Sequence, residues 1–168
     1  MGTFSLVPQV VNAVSPTPVI LAGGVGGSGK QLAAALALGA QGVWTGTMWL
    51  TSRESDVDII LKEKLLKATE RDTVRSRTFS GKPARLLRST WHEVWDAPDA
   101  PQPLPMPLQG MLVADVLTSI NQNKVEEFMW SPAGQGVGMI TEYKPAAQIL
   151  FDMVAEAQEV FEGLYEQP

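Results

Sequence analysis

The stretch that decides the fold runs from Val19 to Thr47 and reads "VILAGGVGGSGKQLAAALALGAQGVWTGT". Its first part, Val19 to Ala22, is a short apolar run that ends in two glycines, and a second short run covers residues 41–47. Continuous apolar runs of this length are typical of strands buried on both faces of a parallel sheet. Between them, Ser28 can cap the start of a helix and Gly39 can end it. The stretch therefore predicts a βαβ unit whose parallel strands end at the same edge.

The glycine-rich turn after the first strand partly matches two nucleotide-binding motifs. Gly24, Gly29 and Lys30 fit G-x-x-x-x-G-K, but Gln31 stands where that motif needs a Ser or Thr to bind Mg²⁺. Gly24, Gly26 and Gly29 also fit G-x-G-x-x-G, but the next strand ends in "TGT" where a ribose-binding acid is wanted. Binding of a nucleoside triphosphate is therefore the weakest hypothesis.

A phosphate cradle made by both strand ends fits these residues better. Gly23 and Gly24 follow the first strand, and Gly46 and Thr47 follow the second. Their backbone N–H groups can converge on one anion, and the dipole of the intervening helix would add about 0.3–2 kcal/mol. The loops after the last two strands of a (β/α)8 barrel are a recurrent phosphate site. We predict that these four residues bind the phosphate with Ala22 beside them; the alternative is that the glycines serve only as turns and caps.

The composition excludes several classes of function. The chain has 168 residues, 45% hydrophobic and 18% charged, which suits one globular domain, and its net charge of −5 disfavours nucleic acid or an anionic membrane as partner. It has no cysteine and a single histidine, His92, so disulfides, cysteine nucleophiles and multi-histidine metal sites are excluded. No secretory signal and no membrane-length apolar window are present. We expect a soluble, cytoplasmic protein without a metal site.

The rest of the chain is predicted to be mainly helical. Apolar spacing predicts helices over residues 7–14, 56–77, 115–123 and 144–162, a further helix after the turn near Gly81, and a proline-rich connector at 97–108. We divide the chain into 1–55, with the βαβ unit, and 56–168. Only two strands are predicted, and two parallel strands alone do not make a stable sheet.

The segment from Pro18 to Ser55 closely resembles the nitronate monooxygenase family, which consists of FMN-dependent (β/α)8 barrels. "TFSGKPARLLR", Thr78 to Arg88, and "SPAGQGVGMI", Ser131 to Ile140, resemble the family's C-terminal region. The resemblance implies an α/β fold: the C-terminal portion of a TIM barrel, with its last two parallel strands and flanking helices, plus a mainly helical C-terminal region. It also implies FMN as cofactor and places Gln135 and Gly136 near the flavin.

The activity that the resemblance implies is oxidative denitrification of alkyl nitronates with O₂. The family's Gly-Gly-His motif, whose histidine is the catalytic base, lies just ahead of the segment that matches "GTFSLVPQVV" and is absent here. A whole barrel needs about 250 residues. We therefore expect a truncated barrel with a misassigned start, no catalytic residue of its own, and the family histidine upstream of Met1. Completion by the missing N-terminal half, or a homo-oligomer, is the expected partnership.

Two other readings remain open beside this one. The chain could be a non-catalytic phosphate-binding or flavin-binding module that needs a partner chain. It could also be part of an enoyl-reductase-like FMN barrel. His92, in "STWHEVWD", matches no base of the family, and we expect it to be packed or at the surface.

Overall fold

A parallel pair of strands joined by a helix confirms the predicted βαβ unit. The computed structural model describes residues 1–165. After α1 (Thr3–Val14), β1 (Ile20–Ala22) pairs in parallel with β2 (Gly42–Trp44), and α2 (Gly29–Ala37) connects them. The last residues of the two strands are paired with each other. Both strands therefore end at one edge, as the sequence predicts.

The ends of α2 follow the predicted caps. The Ser28 hydroxyl accepts a hydrogen bond from the N–H of Lys30 at 3.2 Å. Gly39 follows the helix with φ of 92°, the left-handed conformation that glycine adopts without a steric cost. Ala33 and Ala35 are both buried, and the backbone of the chain's last helix lies against Gly29 at the start of α2.

The second half of the chain contains helices and a hairpin. Its elements are α3 (Ile59–Lys67), β3 (Thr73–Ser76), β4 (Ala84–Leu87), α4 (Thr90–Trp95), α5 (Leu108–Gln122) and α6 (Ala146–Tyr165). The last of these returns to the start of the chain and packs along α2. Within the described 165 residues, no helix is both long enough and apolar enough to cross a membrane.

The helix predicted over 56–77 is wrong in its second half. The helix ends at Lys67, and β3 and β4 form an antiparallel hairpin in which Thr73 faces Leu87. Local spacing could not show this hairpin, because each strand is only four residues long and lacks a clear alternation of apolar and polar residues. The helix expected over 115–123 is also longer than predicted, since α5 begins at Leu108.

Two apolar clusters hold these elements together. The first contains residues from α1, β1, α2 and α6, together with the fully buried Met48. The second joins α3 and β4 to the loop residues Ala133 and Val137. Ile140 of the same loop packs on the first cluster, so the segment between the clusters contacts both. The division into 1–55 and 56–168 stays a prediction.

Candidate phosphate-binding site

The predicted strand-end residues lie together at one edge of the parallel pair. Because Ala22 pairs with Trp44, the turns that follow leave the sheet side by side. Ala22, Gly23, Gly24 and Gly46 are exposed at this edge, and Thr47 is half-buried. The structure therefore brings together both turns that the sequence singled out.

Backbone geometry explains some of these glycines but not all of them. Gly23 and Gly24 have φ of 86° and 83°, so the turn itself favours glycine at both positions. Gly46 has φ of −124°, outside the left-handed region that favours glycine, and a Cβ atom there would meet no atom within 4 Å. Neither a left-handed turn nor close packing therefore accounts for the glycine at position 46. A side chain there would instead fill the open space in front of the strand ends.

The strand ends present unused hydrogen-bond donors. Among residues 1–165, the backbone N–H groups of Gly24, Gly46 and Thr47 donate no hydrogen bond to another protein group. The Thr47 hydroxyl accepts the N–H of Gly134 at 2.9 Å and keeps its own proton to donate. Such a group of N–H and O–H donors suits an anion with several acceptor oxygens.

A third loop packs against both strand-end turns. Gly134 bonds to Thr47, and the backbone of Gly136 lies against Gly26, where a Cβ atom would be 2.5 Å from the Gly136 carbonyl oxygen. Gln135 lies between these two contacts, with its side chain exposed. The structure thus places Gln135 and Gly136 beside the strand-end turns; their binding to a flavin stays a prediction.

The N-terminus of α2 is occupied by a carboxylate from α6. Glu156 Oε2 accepts the backbone N–H of Gly29 at 2.5 Å and the hydroxyl of Ser28 at 3.0 Å. The expectation that this helix end stabilises the phosphate is therefore wrong, because Glu156 already supplies the negative charge there. The free N–H groups at the strand ends remain as the candidate anion ligands.

A cavity of about 340 Å³ lies on the α6 side of the glycine-rich turn. Lys144 lines it and pairs with Asp152 at 2.7 Å and Glu142 at 3.1 Å. The hydrogen bond to Lys144 lowers the pKa of Asp152, and the bond to Asp152 raises the pKa of Lys144. Lys144 is thus paired with Glu142 and Asp152, and the remaining carboxylate of the lining, Glu156, caps α2.

His92 is not part of the candidate site. It lies in α4 and is 1% exposed, and its Nδ1 accepts the backbone N–H of Ser89 at 3.2 Å. Burial lowers the pKa of its imidazole. The expectation of a packed histidine is confirmed, and the ring has no access to a substrate.

Sequence reasoning missed several residues around the site. Gln31 hydrogen-bonds to the glycine-rich turn, Glu156 caps α2, and Gly134 bonds to Thr47. The Thr3 hydroxyl oxygen lies 3.0 Å from where a Cβ atom of Gly24 would stand. Only Gln31 carried a local signal, since it replaces the Ser or Thr of a triphosphate loop; the others come from distant segments.

The parallel βαβ unit and the elements around it define a portion of a (β/α)8 barrel, the fold of the solved structures that this chain resembles. Residues 1–156 match the family model described as "Nitronate monooxygenase". The chain belongs to the nitronate monooxygenase family, which is a family of oxidoreductases.

Relatives with known names agree with this assignment. The chain is 50% identical over 162 residues to a Mycobacterium tuberculosis protein named "Putative monooxygenase Rv1533", covering 93% of this chain and 43% of the relative. It is 37% identical over 158 residues to the "Probable nitronate monooxygenase" of Bacillus subtilis, covering 93% and 44%. The chain thus spans less than half the length of these curated relatives.

Solved structures show the same relation. A nitroalkane oxidase from Streptomyces ansochromogenes superposes with a TM-score of 0.84 at 31% identity, covering 97% of this chain and 45% of that one. FabK from Thermotoga maritima superposes with a TM-score of 0.74 at 36% identity, covering 98% and 51%. The likeness therefore extends over almost all of this chain and about half of each barrel.

Proposed function

We propose that this chain supplies the FMN-phosphate site of a nitronate monooxygenase-like flavoenzyme. The observation that carries the proposal is Gly46. Its φ lies outside the left-handed region that favours glycine, and a Cβ atom there would meet no protein atom within 4 Å. It stands at the edge where both strands end, next to N–H groups that have no protein acceptor. A ligand that approaches the backbone closely would explain why position 46 is a glycine.

The residues present fit a phosphate monoester. The N–H groups of Gly24, Gly46 and Thr47 and the hydroxyl of Thr47 would donate to its oxygens. Ala22 and Gly23 would form the adjoining wall, and the exposed Gln135 with Gly136 would lie on the side of the third loop. Backbone donors need no reorganisation on binding, so they hold the phosphate at a fixed position and thereby orient the rest of the cofactor.

FMN, when bound, would supply the redox chemistry of such an enzyme, which is electron transfer between a nitronate and O₂. The role of this chain would be to bind the phosphate of the cofactor and thereby to orient the flavin. No residue here is assigned as the base, because His92 is buried and bonded within its own helix turn. We propose that the base and most of the ring pocket come from the remainder of the barrel.

A second function, a binding module completed by another chain, is favoured by the exposed face of the sheet. Ile20 is 50% exposed and Trp44 is 75% exposed, although both belong to the parallel strands. Phe4 of α1 is 73% exposed as well. Parallel sheets are normally covered on both faces, so this surface fits contact with the other half of a barrel, in the same polypeptide or in a partner.

Titration of the ¹⁵N-labelled chain with FMN, riboflavin and inorganic phosphate tests the proposed site. We expect FMN and phosphate to shift the amide signals of Gly24, Gly46 and Thr47, and riboflavin to leave these signals unchanged, because it lacks the phosphate. Absence of any shift with FMN would overturn the proposal. Turnover of propionate-3-nitronate by the chain together with the remainder of a barrel would favour the enzyme over the binding module, and reduction of an enoyl substrate would favour the enoyl-reductase-like alternative.

A further inference from the structure

The side chain of Gln31 bridges the glycine-rich turn at two points. Its Oε1 accepts the backbone N–H of Gly26 at 2.6 Å, and its Nε2 donates to the carbonyl oxygen of Gly24 at 2.9 Å. Gln31 lies in the first turn of α2, so a rigid helix carries the amide that holds the turn. Both polar ends of the side chain are used within the protein.

This bridge has consequences for an anion at the strand ends. A carbonyl oxygen that faced a phosphate would repel it, and Gln31 engages the carbonyl of Gly24 while leaving the N–H of Gly24 unbonded. Glycines also lose more conformational freedom on ordering than other residues. A turn already held by hydrogen bonds binds its ligand with less entropic cost.

The position of Gln31 also excludes the metal chemistry of a triphosphate loop. It occupies the place where G-x-x-x-x-G-K continues with a Mg²⁺-binding Ser or Thr. A neutral amide oxygen that already accepts the N–H of Gly26 is a weak ligand for Mg²⁺ compared with the Ser or Thr hydroxyl of that motif. At this position the side chain therefore hydrogen-bonds to the backbone of the turn instead of binding a cation.

We propose that Gln31 is a positioning residue that fixes Gly24 to Gly26 for a phosphate monoester bound without a divalent metal ion. This inference rests on the proposed function and names the residue that determines its ligand class. Gln31 acts through the backbone of the turn and does not itself contact the phosphate.

The test compares the wild-type chain with Gln31→Met and with Gln41→Met. Gln41 is exposed, lies between α2 and the opposite end of β2, and makes the matched control. The Kd for FMN, read from the amide shifts of Gly46 and Thr47, should rise about tenfold in Gln31→Met and stay within about twofold in Gln41→Met. Excess EDTA or Mg²⁺ should not change the wild-type Kd.

Two further readouts separate positioning from a general loss of fold. Amide exchange at Gly26 should accelerate in Gln31→Met, while exchange in α6 stays unchanged. Should Gln31→Met fail to fold, Gln31→Asn decides: it keeps an uncharged amide but is one methylene shorter, cannot bridge Gly24 and Gly26, and is expected to weaken FMN binding.

The outcomes are distinguishable. A wild-type chain that does not respond to FMN overturns the proposed function and this inference with it. If a folded Gln31→Met variant binds FMN with the same Kd as the wild-type chain, the positioning role alone is overturned. A requirement for Mg²⁺ overturns the metal-free ligand class.

Discussion

Glu156 in the last helix of the chain accepts the backbone N–H of Gly29 at the start of α2, at 2.5 Å. The same oxygen accepts the hydroxyl proton of Ser28 at 3.0 Å. A carboxylate at this position satisfies an otherwise free N–H group and interacts favourably with the helix dipole. The contact spans 127 residues, so α6 fixes the helix that follows the glycine-rich turn.

Replacing Glu156 by Ala should lower the free energy of unfolding by about 1 kcal/mol, because the start of α2 loses its cap. Urea denaturation followed by circular dichroism measures this change. Glu159→Ala, at an exposed position of the same helix, is the control and should change stability by less than about 0.5 kcal/mol. Equal losses in the two variants would count against the capping role.

Gly46→Ala tests FMN binding separately from the stability of the fold. The added Cβ atom meets open space at an ordinary φ, so the free energy of unfolding should change by less than about 0.5 kcal/mol. Affinity for FMN, measured by fluorescence quenching, should fall about tenfold or more because the methyl group enters the proposed phosphate position. Gly163→Ala, also in open space but in α6, should leave affinity unchanged. Unaltered FMN binding by Gly46→Ala would remove the reason for assigning this edge.

Thr47→Val tests the link between the second turn and the third loop. The variant keeps the shape but leaves the N–H of Gly134 without its acceptor, which should cost about 1–2 kcal/mol of stability. It should also weaken FMN binding through the lost hydroxyl donor. Thr47→Ser should retain most of both properties, and thermal unfolding with and without FMN compares the three proteins. Identical behaviour of the Val and Ser variants would contradict a role for the hydroxyl.

His92 should make stability depend on pH. Burial lowers the pKa of its imidazole in the folded chain, whereas the unfolded chain takes up the proton near the ordinary value of 6.5. The unfolded state therefore binds more protons below pH 6.5, and stability should fall as the pH drops, by at most about 1.4 kcal/mol per pH unit.

The variant His92→Gln removes this titration and keeps the Ser-x-x-Gln capping box at the start of α4. Its free energy of unfolding should change less between pH 7 and pH 5.5 than that of the wild type, as measured by urea denaturation at each pH. The same pH dependence in both proteins would show that other groups cause it.

The βαβ unit could be predicted because its signals are local. Short apolar runs, a Ser28 cap and a Gly39 terminator each act within a few residues, and the structure confirms all of them. The β3–β4 hairpin could not be predicted in the same way. Leu86 and Leu87 are buried by contacts from elsewhere in the chain, and residues 73–76 carry little strand signal of their own.

In the candidate site, too, some residues could be predicted from local sequence and others could not. Gly23, Gly24, Gly46 and Thr47 were recognisable because parallel strands must end at one edge. Their partners were not, since Gly134 reaches Thr47 across 87 residues, and nothing in the local sequence encodes that distance.

From its sequence alone, the chain is committed to a parallel βαβ unit with glycine turns at both strand ends, because hydrophobic runs, caps and glycines act over short distances. Only the tertiary structure decides that Glu156 caps the helix end and that the loop around Gln135 joins the same edge. The reason is physical: these hydrogen bonds form only after packing has brought their donors and acceptors together, and packing depends on the whole chain.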